Sequence, residues 1–208
     1  MERKSILLVE GVTDKHVVLA LCAKYNLPEV FTIQEKEGID NLMRSLRLML
    51  SNPSAYGKIG VVVDADSDAK KRYSQIAALL KTTTAYDDLD RIGDNTIISP
   101  KEESLPSIGI WIMPDNSHNG MVEDFALSLV PKDDVLLDKA KHTVDDIEKE
   151  GIARFKPVHH SKALIHTYLA WQEAPGMPIG QAITKHALNP DAELAKAFVI
   201  WLNDLFCK

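Results

Sequence analysis

The sequence predicts an α/β fold in which a mainly parallel, four-stranded sheet is flanked by helices and followed by a helical C-terminal region. Two observations carry this prediction. Unbroken apolar runs, typical of strands buried on both faces, occur at 6–9 (ILLV), 59–63 (IGVVV) and 108–113 (IGIWIM). Segments with helical spacing lie between them, and strands that alternate with helices form parallel sheets with right-handed crossovers.

Local signals give the other elements. Gly11 provides a turn after the first strand, and Thr13 is a plausible N-cap for the helix that follows. The predicted elements after that turn are helix 15–25, strand 30–34, helix 40–50, helix 67–80, a loop or small hairpin over 81–104, and helices 122–130, 144–150, 161–172 and 191–206. We expect an α/β core over residues 1–130 and a helical extension over residues 131–208, which together form one compact domain.

Composition narrows the class of protein. The chain has 208 residues, of which 45% are hydrophobic and 26% charged, as in ordinary globular proteins. No apolar run approaches the ~20 residues of a membrane span, and the run after the N-terminal MERK is too short for a signal peptide. Cys22 and Cys207 are the only cysteines, so we expect a cytoplasmic protein with reduced thiols. Trp111, Trp171 and Trp201 stand in apolar contexts and are predicted core residues.

Acidic residues follow three of the predicted strands. Glu10 ends the first, Asp64 and Asp66 the third, and Asp115 the fourth. Ligands of parallel sheets bind beyond the carboxyl ends of the strands, so these acids predict one site. Their hard oxygen atoms suit Mg²⁺ or Mn²⁺. Asp-x-Asp is also common in turns and helix caps, and Asp115 with Asn116 could equally form a turn.

Two segments, LLVEGVTD at 7–14 and VVVDAD at 61–66, resemble the TOPRIM domain of topoisomerases, bacterial primases and several nucleases. That Rossmann-like domain is marked by a strand-end Glu-Gly and a later strand-end Asp-x-Asp, matched here by Glu10 with Gly11 and by Asp64 with Asp66. The resemblance covers roughly the first two-thirds of the chain. It implies metal-dependent phosphodiester chemistry.

Within this class the chain is most similar to the overcoming-lysogenization-defect (OLD) nucleases and their small relatives. Their Glu-Gly-x-x-Asp element is matched by Asp14, and their acidic group after the fourth strand by Glu123, with Asp124 the weaker match. A later basic residue corresponds to Lys162 in HHSKA. The chain contains no Gly-x-x-x-x-Gly-Lys-Ser/Thr loop, so an ATPase or another defence-system component would be a separate partner.

The resemblance implies two-metal hydrolysis of DNA or RNA, with two cations about 3.5–4 Å apart. In this interpretation Lys162 neutralises charge on the phosphate, and His160 beside it contacts the phosphate or donates a proton. The catalytic residues are Glu10, Asp64, Asp66 and Lys162, and the metal ligands are Glu10 with Asp66, Asp64 with Asp14, and Glu123.

Plainer interpretations stay open. Lys162 is equally an ordinary helix-start lysine, and His160 a surface histidine like its neighbours His159 and His166. The segments 68–72 (DAKKR) and 87–90 (DDLD) are typical of a solvated helix end and a solvated acidic loop.

Two other functions compete with a nuclease. The first is a phosphohydrolase of the haloacid-dehalogenase kind, with Asp64 as nucleophile and Asp66 as acid, although that class opens with its DxD strand. The second is a non-catalytic interaction module that kept the fold. An exposed sheet edge would also allow two copies of the chain to pair.

Overall fold

The computed structural model describes residues 3–83, 86, 87, 89 and 96–208, and within them the α/β fold is confirmed. The strands are β1 Lys4–Val9, β2 Thr32–Glu35, β3 Tyr56–Asp64, β4 Thr96–Ile98 and β5 Ser107–Met113. The α-helices are α1 Val12–Lys24, α2 Ile39–Ser51, α3 Ala69–Lys81, α4 Val122–Ser128, α5 Val135–Lys149, α6 His160–Ala170, α7 Ile179–Thr184 and α8 Glu193–Phe206. Short 3-10 turns at Pro53–Ala55 and Pro157–His159 lead into β3 and α6.

The sheet has five strands in the order β2-β1-β3-β5-β4. The pairs β1–β2, β1–β3 and β3–β5 are parallel, as expected, whereas β4 runs antiparallel to β5. The prediction of four strands is therefore wrong. The additional strand, β4, has only three residues, too few for a recognisable pattern, and lies in the segment predicted as a loop or hairpin.

Part of that segment lies outside the described residues, namely residues 84, 85, 88 and 90–95. They include Asp88 and Asp90 of the predicted acidic loop. The remaining member, Asp87, is exposed and forms an ion pair with Lys101.

Helices cover both faces of the sheet. Alternate residues of β1 point to opposite faces, so that Ile6 and Leu8 pack under α2 and α3 while Leu7 and Val9 pack under α1, α4 and the C-terminal helices. Helix α8 lies directly on β3 and β5. Among the described residues, none of the helices has both the length and the apolar character needed to cross a bilayer.

Three local predictions need correction. The N-cap of α1 is Gly11, not Thr13, and the Asp14 side chain in the first turn accepts a hydrogen bond from Gly11 N. Helix α5 begins nine residues earlier than the predicted 144, because the Asp134 side chain accepts a hydrogen bond from Leu136 N and caps it. Trp111 and Trp201 are buried, but Trp171 follows the last turn of α6 and is 42% exposed.

Helix α8 packs against the sheet at two glycines. Gly60 of β3 and Gly109 of β5 are paired neighbours in the sheet. A Cβ atom on Gly60 would lie 2.9 Å from Phe206 Cζ, and one on Gly109 would lie 3.0 Å from Trp201 Cζ2 and closer still to Leu205. The absence of side chains at this pair therefore allows the helix to approach the sheet.

We expect Gly109→Ala to lower the free energy of unfolding by about 1–3 kcal/mol, because the added methyl group would overlap the buried side chains of Leu205 and Trp201. Urea denaturation measures the change. Gly57→Ala on β3 is the matched control, since its Cβ would meet Arg3 Cβ at an ordinary 3.5 Å. Equal stability of the two variants would contradict this account of the packing.

Candidate metal centre

The carboxyl ends of β1 and β3 bring the first carboxylates together. Because the strands are adjacent and parallel, Glu10 and Asp64 leave the same edge of the sheet, and Asp64 N donates a hydrogen bond to Glu10 Oε2 at 3.2 Å. Asp14, in the first turn of α1, is 3% exposed and accepts a hydrogen bond from Gly11 N at 3.0 Å. The Glu-Gly-x-x-Asp spacing thus folds Asp14 back toward the strand end.

Helix α4 adds a fourth carboxylate. Its first residue, Val122, donates its N–H to Asp64 Oδ1 at 3.0 Å, which fixes the start of the helix against β3. Glu123 is 2% exposed, and its Oε1 lies 2.9 Å from Lys162 Nζ at the start of α6. Asp124 instead caps α4 by accepting from Met121 N at 2.8 Å, and it also accepts from a hydroxyl group of α6. The structure therefore places Glu123, rather than Asp124, with the strand-end acids.

Asp14 and Glu123 are buried, Glu10 and Asp64 are half-buried, and their negative charges repel one another. Burial raises the pKa of Glu10, Asp14 and Asp64, and the negative charges of Asp14, Glu10 and Glu123 raise the pKa of Asp64 further. Two of the oxygen atoms, Asp14 Oδ1 and Glu123 Oε2, are buried without a hydrogen-bond partner in the described part of the chain. Carboxylate oxygen atoms that lack enough neighbouring positive charge are suitable ligands for a divalent cation.

The Asp66 carboxylate points toward Arg72, unlike those of the other predicted ligands. Its backbone is left-handed, with φ 53°, and its N–H and C=O pair with Gly120 at 2.8 and 2.9 Å. Its half-exposed carboxylate forms a 2.6 Å ion pair with Arg72. Arg72 Nε also donates to the Asp64 carbonyl at 2.9 Å. The interpretation of Arg72 as part of a solvated helix end is therefore wrong, since its side chain is only 11% exposed.

We expect Arg72→Gln to weaken Mn²⁺ binding by about 10-fold or more, because the loop that carries Asp64 and Asp66 loses the side chain that orients it. Isothermal titration calorimetry measures the affinity. Lys71→Gln removes the same charge from the exposed neighbouring position and should leave the affinity unchanged. Indistinguishable affinities of the two variants would show that Arg72 does not position the loop.

Asp115 forms the turn that its sequence context allowed. It accepts hydrogen bonds from Ser117 N at 3.0 Å and His118 N at 2.8 Å, and its Oδ2 lies 2.7 Å from His118 Nδ1. Although burial opposes the change, these hydrogen bonds lower the pKa of Asp115. The nearby Asn119 Oδ1 accepts from Ala69 N at 3.0 Å, so this turn holds the β3–α3 loop. Asp115 is therefore engaged with Ser117 and His118 in its own turn, and the prediction that it joins the other strand-end acids is not supported.

His160 faces α5 rather than the strand ends. Its Nδ1 lies 3.0 Å from Glu148 Oε2, and its Nε2 lies 3.9 Å from Asp145 Oδ1. One ligand atom from each of these three side chains lies within 4.8 Å of the other two, and the strand-end carboxylates form no group as tight in the described residues. Sequence reasoning missed Asp145 and Glu148 because the pairing depends on how α5 packs against α6.

Fold and site define an α/β protein with a buried acidic centre at the carboxyl edge of a mainly parallel sheet. The chain belongs to a family described as proteins of unknown function (DUF3226), which it matches over residues 4–207. The match includes every residue of the centre. The comparison with curated proteins gave no match, and neither did the comparison with solved structures.

Proposed function

We propose that this protein is a divalent-metal-dependent phosphodiester hydrolase of the TOPRIM type that acts on nucleic acid. One observation carries the proposal. Glu10, Asp14, Asp64 and Glu123 are gathered at the carboxyl edge of the sheet, where their negative charges repel one another. Two of their oxygen atoms, Asp14 Oδ1 and Glu123 Oε2, have no hydrogen-bond partner in the described part of the chain. Buried carboxylates are unfavourable in their charged form unless a proton, a basic side chain or a metal cation compensates the charge, and a divalent cation can compensate several of them at once. The order of these residues along the chain also matches the resemblance to TOPRIM nucleases.

The residues suited to hold Mg²⁺ or Mn²⁺ are these four carboxylates, with Asp66 available if its pairing with Arg72 opens. When bound, such a cation supplies Lewis-acid activation of water and stabilises negative charge on phosphate oxygen atoms. The chain provides the fixed framework for this chemistry, because backbone N–H groups already orient Glu10, Asp14 and Asp64.

Two basic side chains contact residues of the acidic centre, and the exposed one is suited to the backbone of a nucleic acid. Lys162 pairs with Glu123 yet is half exposed, so that its ammonium group can meet a phosphate at the mouth of the centre. Arg72 pairs with Asp66 on the β3–α3 loop and adds positive charge there. Local positive charge at these positions allows phosphate binding although the whole chain carries a net charge of -6.

The proposal predicts Mn²⁺-dependent cleavage of end-labelled DNA or RNA, and a loss of at least about 100-fold in rate for Asp64→Asn. Gel assays over a Mn²⁺ titration measure the rate. Asp68→Asn is the matched control, because it removes the same charge from the same loop while asparagine still caps α3. Cleavage by Asp64→Asn at the parental rate would refute the proposal.

The same assay separates the proposal from its alternatives. Turnover of a small phosphate ester, with beryllofluoride trapped on Asp64, would instead support a phosphohydrolase. Failure to bind any divalent cation would support a non-catalytic module. A cytoplasmic location remains a prediction that the two free cysteines favour, and pairing of two copies one that the edge strands of the sheet would allow. A separate ATPase partner remains a prediction from the resemblance alone.

A further inference from the structure

A second group of metal-ligand side chains joins α5 to α6. Asp145 and Glu148 are three residues apart on α5 and therefore share one face of the helix. His160 is the first residue of α6 and directs its ring between them, with each side chain about one-third exposed. The three come from different turns and two helices, so their meeting is a product of the fold.

The distances suit a metal ion. Ligand atoms about 2.0–2.2 Å from one cation lie no more than about 4.4 Å from each other. The three ligand atoms here all lie within 4.8 Å, so only small side-chain adjustments are needed.

The charges favour a cation as well. In the described part of the chain, the ion-pair partner of both Asp145 and Glu148 is His160, so that two carboxylates share one imidazole. The neighbouring Lys149 pairs with Asp146 instead. The group thus carries net negative charge in a partly desolvated position, which favours binding of a cation.

We propose that Asp145, Glu148 and His160 form a second metal site, which binds a divalent transition-metal ion and is best suited to Zn²⁺. One imidazole nitrogen and two carboxylate oxygen atoms are ligands that Zn²⁺ accepts readily, whereas Mg²⁺ prefers oxygen ligands alone. This chemistry distinguishes the site from the all-oxygen strand-end centre. The inference does not rest on the proposed nuclease function.

The position of the site gives it a role in the fold. His160 directly precedes Ser161 and Lys162, whose side chains contact Asp124 and Glu123 of α4. A cation that fixes His160 to α5 therefore also fixes the start of α6 and the lysine that this helix presents to the strand-end centre.

The test is Zn²⁺ titration of the full chain carrying Asp64→Asn, which weakens binding at the strand-end centre. Calorimetry should show one Zn²⁺ bound, and Co²⁺ substituted for it should give the visible absorption of a site with a nitrogen ligand. Adding His160→Gln should weaken Zn²⁺ binding by about 100-fold or more. Adding His159→Gln, which changes the exposed adjacent histidine, should not affect it.

Glu148→Gln, checked by circular dichroism for an intact fold, provides a second variant and should weaken binding similarly. Undiminished Zn²⁺ affinity after His160→Gln, or no Zn²⁺ bound to the Asp64→Asn chain, would overturn the inference. Zn²⁺ bound through His160 in a protein that cleaves no nucleic acid would uphold this site while the proposed function fails.

Discussion

Asp64→Asn should stabilise the metal-free protein and at the same time remove most of its stabilisation by Mn²⁺. The pKa of Asp64 is raised by burial and by three neighbouring carboxylates, so the folded protein holds the proton more tightly than the unfolded chain. This stabilising contribution is complete below the ordinary carboxyl pKa of about 4 and is lost as the pH rises toward the folded-state pKa. Asparagine resembles the protonated acid and keeps an oxygen atom for Val122 N.

We therefore expect an increase of about 2 kcal/mol or more in the free energy of unfolding of the metal-free variant at pH 8, and little difference at pH 4. Urea denaturation at both pH values, with and without Mn²⁺, measures it. Asp68→Asn should change neither quantity, since Asp68 is exposed. A variant less stable than its parent at pH 8 without metal would mean that the carboxylates are not in electrostatic conflict.

Lys162→Met should abolish activity and also destabilise the fold, because it leaves the buried Glu123 carboxylate without its cation. The expected loss is about 2 kcal/mol, less than for a fully buried pair because Lys162 is half exposed. Glu123→Gln added to the same chain should restore most of the stability but none of the activity. Denaturation and cleavage assays on the four proteins of this double-mutant cycle measure both effects.

Lys141→Met, on the exposed side of α5, controls for the loss of a lysine and should be neutral in both assays. If the single and double variants are equally unstable, Lys162 does not compensate Glu123. If Lys162→Met cleaves at the parental rate, the lysine is a helix-start residue without a catalytic role.

The sheet could be predicted where strands are buried on both faces. The runs that became β1, β3 and β5 are continuous apolar segments, and their parallel pairing follows from the helices between them. The edge strand β4 could not be predicted, because three residues show no periodicity. The early start of α5 depends on the Asp134 cap, which the apolar periodicity of the sequence does not indicate.

The site divides in a similar way. Glu10 and Asp64 could be located from the sequence because strand ends of a parallel sheet meet at one edge. The direction of the Asp66 carboxylate could not, since it depends on a left-handed backbone at that residue and on a contact with Arg72. The group around His160 depends on the packing of two helices, which their separate sequences do not specify.

The most direct test of the central claim is a crystal structure of the protein soaked in Mn²⁺, with anomalous diffraction data collected at the manganese edge. The account predicts a strong anomalous peak within about 2.5 Å of carboxylate oxygen atoms of Glu10, Asp64 or Glu123. Well-diffracting crystals that show no anomalous peak among these carboxylates, whether Mn²⁺ binds elsewhere or not at all, would contradict the account.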